Sequence, residues 1–256
     1  MKIHPMSLTL ILFCLWLIPI ASAQTGGPKA AAPKSETASS RAIGKHSAPP
    51  LEAKFDRDTS TAQNEDPLKR SHRDQEWRNL MSIPLGDPGT QGQIGSESTS
   101  VAHFDYVGEG RQALPVSQAE LVGIGQVMSG AAFVTPDKSG VYTEFAINLS
   151  SVLKGDASMI GQNVTGIRGG GSVVFPSGHK RKVLFQGIGY PKLGSVYVFF
   201  LHKMPGNPGD YGILTAYELS GSVVYALDDI DPFTKYEQSE QSKFLALVQD
   251  TIKANQ

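Results

Sequence analysis

Between Val141 and Leu153 the odd positions read Val, Thr, Phe, Ile, Leu, Ser, Leu, while Glu144, Asn148, Ser150 and Lys154 fall on even ones. Side chains along a strand alternate between two faces, so a period of 2 held over this length specifies a long strand with one buried and one wet face. A strand so patterned needs neighbours, and the chain supplies them. Apolar runs at 121–128, 163–168, 172–175, 182–188, 195–202, 211–219 and 222–227 are separated by Gly, Pro and Asp. The separators carry turn chemistry: Phe175-Pro176-Ser177-Gly178 has Pro at the second place and Gly at the fourth, as a type I turn prefers, and Asn207-Pro208-Gly209-Asp210 is a second tight turn. Short strands at this spacing predict a mainly β domain, a small barrel or sandwich, over residues 112–228.

One strand differs from the rest. Tyr197, Phe199 and Leu201 alternate with Val196, Val198 and Phe200, so both faces are apolar and both must be covered. The cover is predicted to be an amphipathic helix within 229–256, where Phe244, Leu245, Leu247, Val248 and Ile252 form one stripe.

The N-terminal part has a different composition. Lys2, an apolar run from Leu8 to Ile20, and Ala21-Ser22-Ala23 before Gln24 are the three parts of a cleavable signal peptide over 1–23, with the cut between Ala23 and Gln24. The apolar run is short of the roughly 20 residues a membrane-spanning helix needs, so no permanent anchor is expected and the product is exported, periplasmic or extracellular. The single cysteine, Cys14, lies in the removed segment, leaving a mature chain without disulfide, redox or thiolate chemistry. Residues 24–75 are rich in Ala, Pro, Ser, Lys and Thr, with few large apolar groups, and are expected to form a disordered spacer. Residues 76–111 are expected to be an extended or looped segment. Its cluster around Trp77 either docks on the barrel or acts as a linear motif.

Charge narrows the partner classes. Removal of the signal takes away only Lys2 from 23 cations, against 24 carboxylates. Nucleic acid and anionic membrane surfaces call for a basic excess, so neither is expected as the main partner.

Residues 114–229 resemble an uncharacterised family of secreted bacterial proteins of acidobacterial type. The resemblance rests on Val122-Gly123-Ile124-Gly125-Gln126-Val127, on Val141-Tyr142-Thr143-Glu144-Phe145 leading to Val152-Leu153-Lys154-Gly155, on Gly194 through Leu201, and on Ile213 through Leu219. The layout is similar to the small barrels of netrin-like and metalloproteinase-inhibitor modules. It implies an OB-like β-barrel, closed or partly open, and carries no activity with it. The cysteine-bridged members of the netrin-like group rely on disulfides that this chain lacks.

No residue set passes as a catalytic or cofactor site. There is no G-x-S-x-G elbow, and neither Gly123-Ile124-Gly125 nor Gly187-Ile188-Gly189 has the third glycine and following helix of a phosphate cradle. His103-Phe104-Asp105 offers too few metal ligands, and Asp228-Asp229-Ile230-Asp231 lacks the glycine and terminal Glu of a calcium loop. Gly169-Gly170-Gly171 reads either as a barrel corner or as a place where a ligand approaches the backbone. Arg168, Lys180 and Arg181, which flank this corner and the opposing hairpin tip, are the candidate binding residues for an anionic partner, a cell-envelope protein or surface polysaccharide. The expected function is an exported, non-catalytic binding module. A secreted hydrolase with dispersed catalytic residues and a purely structural envelope domain are the alternatives.

Overall fold

The computed structural model describes residues 46–56, 65–80, 83–87, 96–102 and 112–256. In chain order they form β1 (Glu52–Lys54), α1 (Pro67–Leu80), β2 (Glu97–Ala102), β3 (Leu121–Val134), β4 (Val141–Lys154), β5 (Asn163–Gly169), β6 (Gly171–Val174), β7 (Lys180–Phe185), β8 (Val196–Lys203), β9 (Asp210–Ser220), β10 (Val223–Ala226) and α2 (Gln241–Ala254). The alternating run is β4, which pairs antiparallel with β3 on one side and β5 on the other. β8 is antiparallel to both β3 and β9. A short parallel seam, Thr165–Ile167 against Asp210–Gly212, joins β5 to β9 and completes a hydrogen-bonded ring β3-β4-β5-β9-β8. β10 adds to the free end of β9. The protein is thus mainly β, with an OB-like five-stranded ring and a C-terminal helix.

The alternation in β4 decides what fills the ring. Phe145, Ile147 and Leu149 point inward and meet Val127, Tyr197, Phe199 and Leu201, all buried. Register shifts in the β3–β4 ladder at Val122/Gly123, Ile124/Gly125 and Val127/Ser129 bend these strands around that core. Gly125 lies at one of these shifts, where a Cβ would come within 2.7 Å of the Ile147 side chain.

The other face of β8 is buried too, as its unbroken apolar run predicts. Val198 and Phe200, with Tyr217 of β9, pack against Phe244, Val248 and Ile252 of α2. Full burial of a Phe or Ile is worth roughly 1.5–3 kcal/mol, so this stripe is what holds α2 to the ring.

Beyond Val127, β3 runs past β8, and its ladder with β4 packs against a second sheet, ordered β1-β6-β7-β2. Ala132, Val134 and Val141 meet Ala53, Val173 and Val183 there. The glycine corner is the joint between the two sheets: β5 ends at Gly169, β6 begins at Gly171, and Gly170 lies between them at φ +91°.

The expectation of a disordered spacer over 24–75 does not hold for residues 46–56 and 65–75. β1 adds in parallel to β6, with Leu51 O accepting from Ser172 N at 2.8 Å and Phe55 N donating to Val174 O at 2.9 Å. Ala48 N donates to Tyr190 O at 2.8 Å. Within 76–111, expected to be extended or looped, α1 runs on to Leu80, while Glu97–Ala102 is extended and pairs as β2 with β7. Backbone ladders and ion pairs order these pieces together with a few apolar anchors, Ala53 and Leu85 against the second sheet and Trp77 under α1. Residues 24–45 and the proposed signal peptide lie outside the described residues. Among the described residues no helix is long and apolar enough to cross a membrane.

Candidate functional site

The three residues proposed for anion binding have different fates. Arg168 stands directly opposite Thr143 on the inward face of the sheet and is only 3 % exposed. Its Nη1 donates to Asp228 Oδ1 at 2.5 Å and to the Gly189 carbonyl at 2.6 Å, and its Nη2 donates to Asp228 Oδ2 at 2.9 Å. Arg168 is therefore a buried structural cation and not part of a surface. The charge is tolerated at that depth because Asp228, fully buried, neutralises it. Asp228 is thereby also committed to Arg168 and not to a calcium loop. Lys180 remains at the surface, paired with Glu52 at 2.6 Å, while Arg181 donates to Ser100 Oγ at 2.9 Å and to the Pro84 carbonyl at 3.2 Å. The partners of both lie in segments expected to be spacer or loop.

A different cluster gathers on the outer face of β3, β4 and β5. Phe133, Tyr142, Glu144, Ile167 and Thr165 share this face because each stands opposite the next in register or two residues along. α1 lies across it, burying Arg70, Arg73, Asp74 and Trp77. These positions are spaced i, i+3, i+4, i+7, which is one helix face. Arg70 reaches both Glu144 oxygens, at 2.5 and 3.2 Å, with its guanidinium carbon 3.8 Å from the centre of the Phe133 ring. Arg73 grips both oxygens of Asp210, at 2.6 and 2.8 Å, and also reaches Glu144 at 3.0 Å. Glu65, just ahead of the helix, pairs with both arginines. Tyr142 accepts from Arg70 at 3.0 Å and donates to Asp74 at 2.9 Å, while Trp77 stacks on its ring.

Burial and charge act against each other here. Burial pushes the Glu144 carboxyl above its ordinary range, and Arg70 and Arg73 pull it back. Burial also works against the charge on Arg70, yet Glu144 and Tyr142 hold that guanidinium more firmly protonated than a free arginine. Burial, with the Glu144 charge beside it, makes the Tyr142 hydroxyl a weaker acid than usual, so it stays a neutral donor.

Beside this network opens a cleft of about 560 Å³. Its helix side carries Glu65, Asp66, Lys69, Arg70 and Arg73. Its barrel side carries Phe133, Glu144, Asn163, Thr165 and the Pro208-Gly209-Asp210 turn ahead of β9. The second tight turn read from the sequence is thus one wall of the cleft, closed by an Asp210 N to Asn207 O bond of 3.2 Å. Asn207 also ties the turn to α1, through His72 Nδ1 at 3.0 Å and the Lys69 carbonyl at 2.9 Å.

Two histidine settings went unread in the sequence. His179 is held between hydroxyls, Ser96 Oγ on Nδ1 and Ser98 Oγ on Nε2, each at 2.8 Å, which fastens β2 to the hairpin tip. His46 stacks on Tyr225 at 4.1 Å and meets Glu237 at 3.1 Å. His103 and Asp105 lie outside the described residues. Among the described residues no group of three or more His, Cys, Asp or Glu side chains is placed to hold a metal ion.

No family model matches the chain, and neither a curated protein nor a solved structure matches it.

Proposed function

We propose that this chain is an exported, non-catalytic binding module whose recognition surface is the outer face of β3, β4 and β5 together with the turn before β9. The observation that carries this reading is the open cleft beside a polar helix held on the barrel by ion pairs. Core-forming faces are apolar, whereas this one is lined by carboxylates, amide and hydroxyl groups with aromatic rings beneath. OB-like barrels commonly bind partners on the face of their second and third strands and on the loop between the fourth and fifth. In this ring those are β4, β5 and the Asn207–Asp210 turn. The partner class is a cell-envelope protein or surface polysaccharide, and the resemblance to a secreted bacterial family belongs to the same reading.

The test uses the full chain. N-terminal sequencing of the exported product should begin at Gln24, and a product retaining Met1 in the membrane would refute export. Isolated envelopes of the native host, intact or protease-treated, should retain the purified protein. A triple variant on the cleft rim, Lys69→Glu, Asn163→Ala and Thr165→Ala, should lose at least about tenfold in apparent affinity, a loss typical of removing key contacts. Loss after protease treatment identifies a protein partner, and retention identifies polysaccharide. Equal binding by the rim variant and the parent would sink the assignment of this surface.

A further inference from the structure

We propose that the outer face of β4 and β9 is a receptor for a helix presenting two arginines one turn apart, and that α1 is the occupant the chain supplies to itself. The proposal rests on the reading of this face as the module's binding surface and names the partner chemistry. Three observations carry it.

The first is charge. The barrel side of the cleft contributes Glu144 and Asp210 and no cation, the arginines and Lys69 all coming from the helix side. Two carboxylates this enclosed need two cations, because a buried charge without a partner is strongly disfavoured. Arg70 and Arg73 supply that number, and each also holds Glu65 of its own segment.

The second is the helix itself. A helix that belongs to a core presents apolar side chains at i, i+3, i+4 and i+7. α1 presents Arg70, Arg73, Asp74 and Trp77 at those places and leaves Leu68 67 % exposed. Only Trp77 among the four is apolar, so charge and hydrogen bonding select this helix. Ion pairs in such a setting contribute little net stability, since their attraction is offset by lost hydration, but they discriminate strongly against a mismatched partner. A second helix of the same pattern would meet the same carboxylates and so compete with α1 for the face.

The third is geometry. Arg73 meets Asp210 through Nε and Nη2, and Arg70 meets Glu144 through Nη1 and Nη2 while lying over Phe133. Both are forked contacts to a carboxylate, and the second is also stacked. A planar guanidinium makes the forked contact and lies flat on a ring at once, whereas a lysine ammonium offers a point charge without the fork. The partner is therefore a protein helix with Arg at i and i+3, which competes with α1 for the face.

The test titrates a labelled synthetic peptide of residues 65–80 into the full chain. The Arg70→Ala/Arg73→Ala variant, shown folded by its near-ultraviolet circular dichroism, has a vacated face and should bind the peptide at least about tenfold more tightly than the wild type, whose face is filled. A peptide with both arginines replaced by lysine should bind the variant at least about tenfold more weakly than the parent peptide. No binding to the folded variant, or equal binding of the lysine peptide, overturns the proposal. If the double variant does not fold, Arg70→Lys/Arg73→Lys, which keeps both charges on α1 but removes its forked contacts, is titrated with the same peptides and judged by the same outcomes. Concentration-dependent dimers of the wild type that the peptide dissolves would assign the face to a second copy and overturn the partner reading. Absence of peptide binding with envelope binding still sensitive to the rim variant refutes the guanidinium receptor alone. Peptide binding with envelope binding indifferent to the rim refutes the proposed function alone.

Discussion

Replacing Asp228 by Ala should be among the most damaging single changes in the barrel. Asp228 is fully buried and accepts two hydrogen bonds from Arg168, at 2.5 and 2.9 Å, and one from Gly189 N at 2.9 Å. Its removal leaves a buried guanidinium without a counter-charge, which costs about 3–5 kcal/mol. It also leaves the Gly189 N–H without its acceptor, at about 1–3 kcal/mol. The two losses share one relaxation and do not simply add, so a combined loss of about 4–6 kcal/mol is expected. Even about 4 kcal/mol lowers the melting temperature by roughly 8–16 °C in a domain of this size. Urea denaturation followed by circular dichroism measures the change. Replacing Arg168 and Asp228 together by Met and Leu should recover much of the loss, because neither charge then has to be desolvated. By contrast Lys180→Ala and Arg181→Ala, which break contacts at the surface, should each cost below about 1 kcal/mol. A stability of Asp228→Ala within about 1 kcal/mol of the parent would refute the buried pair, and with it the reason given for removing Arg168 from the surface.

Further outcomes follow from packing and titration. Gly170→Ala places a Cβ 2.1 Å from Tyr190 Oη and 2.6 Å from the Val183 carbonyl at a positive φ, so the joint between the sheets should fail to close. Thermal unfolding should show a loss above about 2 kcal/mol, and a parent-like melt would contradict the geometry. Phe244→Ala removes the central anchor of α2 and should cost about 3–5 kcal/mol, with amide exchange across Gln241–Ala254 accelerating more than exchange in β4. Uniform acceleration of both would show that α2 does not open on its own. At the β3–β4 turn, the Ser139 hydroxyl and N–H hold the Asp137 carboxyl below its ordinary 3.8. A depressed carboxyl stabilises the fold above its unfolded value, and that contribution disappears as pH falls through the lower folded value. Carbon-detected NMR should place the Asp137 midpoint below 3.8, and a midpoint at or above it would remove the turn contact.

The strand pattern was legible because it is local. β4 announced itself through period 2, β8 through apolar residues on both faces, and α2 through a stripe of Phe244, Val248 and Ile252. The glycine corner and the two tight turns came from the same short-range chemistry. The candidate site was not legible in this way. α1 carries Arg70, Arg73 and Asp74 where a search for apolar periodicity looks for leucines, so its buried face has the composition of a solvated spacer. A weak signal was present: two arginines at i and i+3 followed by Trp77 mark one face, but only a partner surface gives that face meaning. β1 and β2 are held by backbone ladders to β6 and β7, and a backbone ladder leaves almost no trace in side-chain identity.

The sequence by itself determined the class of fold, since alternation, turn residues and a final amphipathic stripe each act within a few residues along the chain. It also determined that the charges nearly balance. Only the tertiary structure decided which charges are buried and which are wet. Arg168 and Arg181 carry the same side chain, yet one closes on Asp228 inside the ring and the other lies along the second sheet near Ser100. Glu144 and Asp210 stand far apart in the chain and meet at one pair of arginines because β5 and β9 close the ring beside them. Electrostatic energy depends on distance and on exposure to water, and both are set by the folded packing and not by order along the chain.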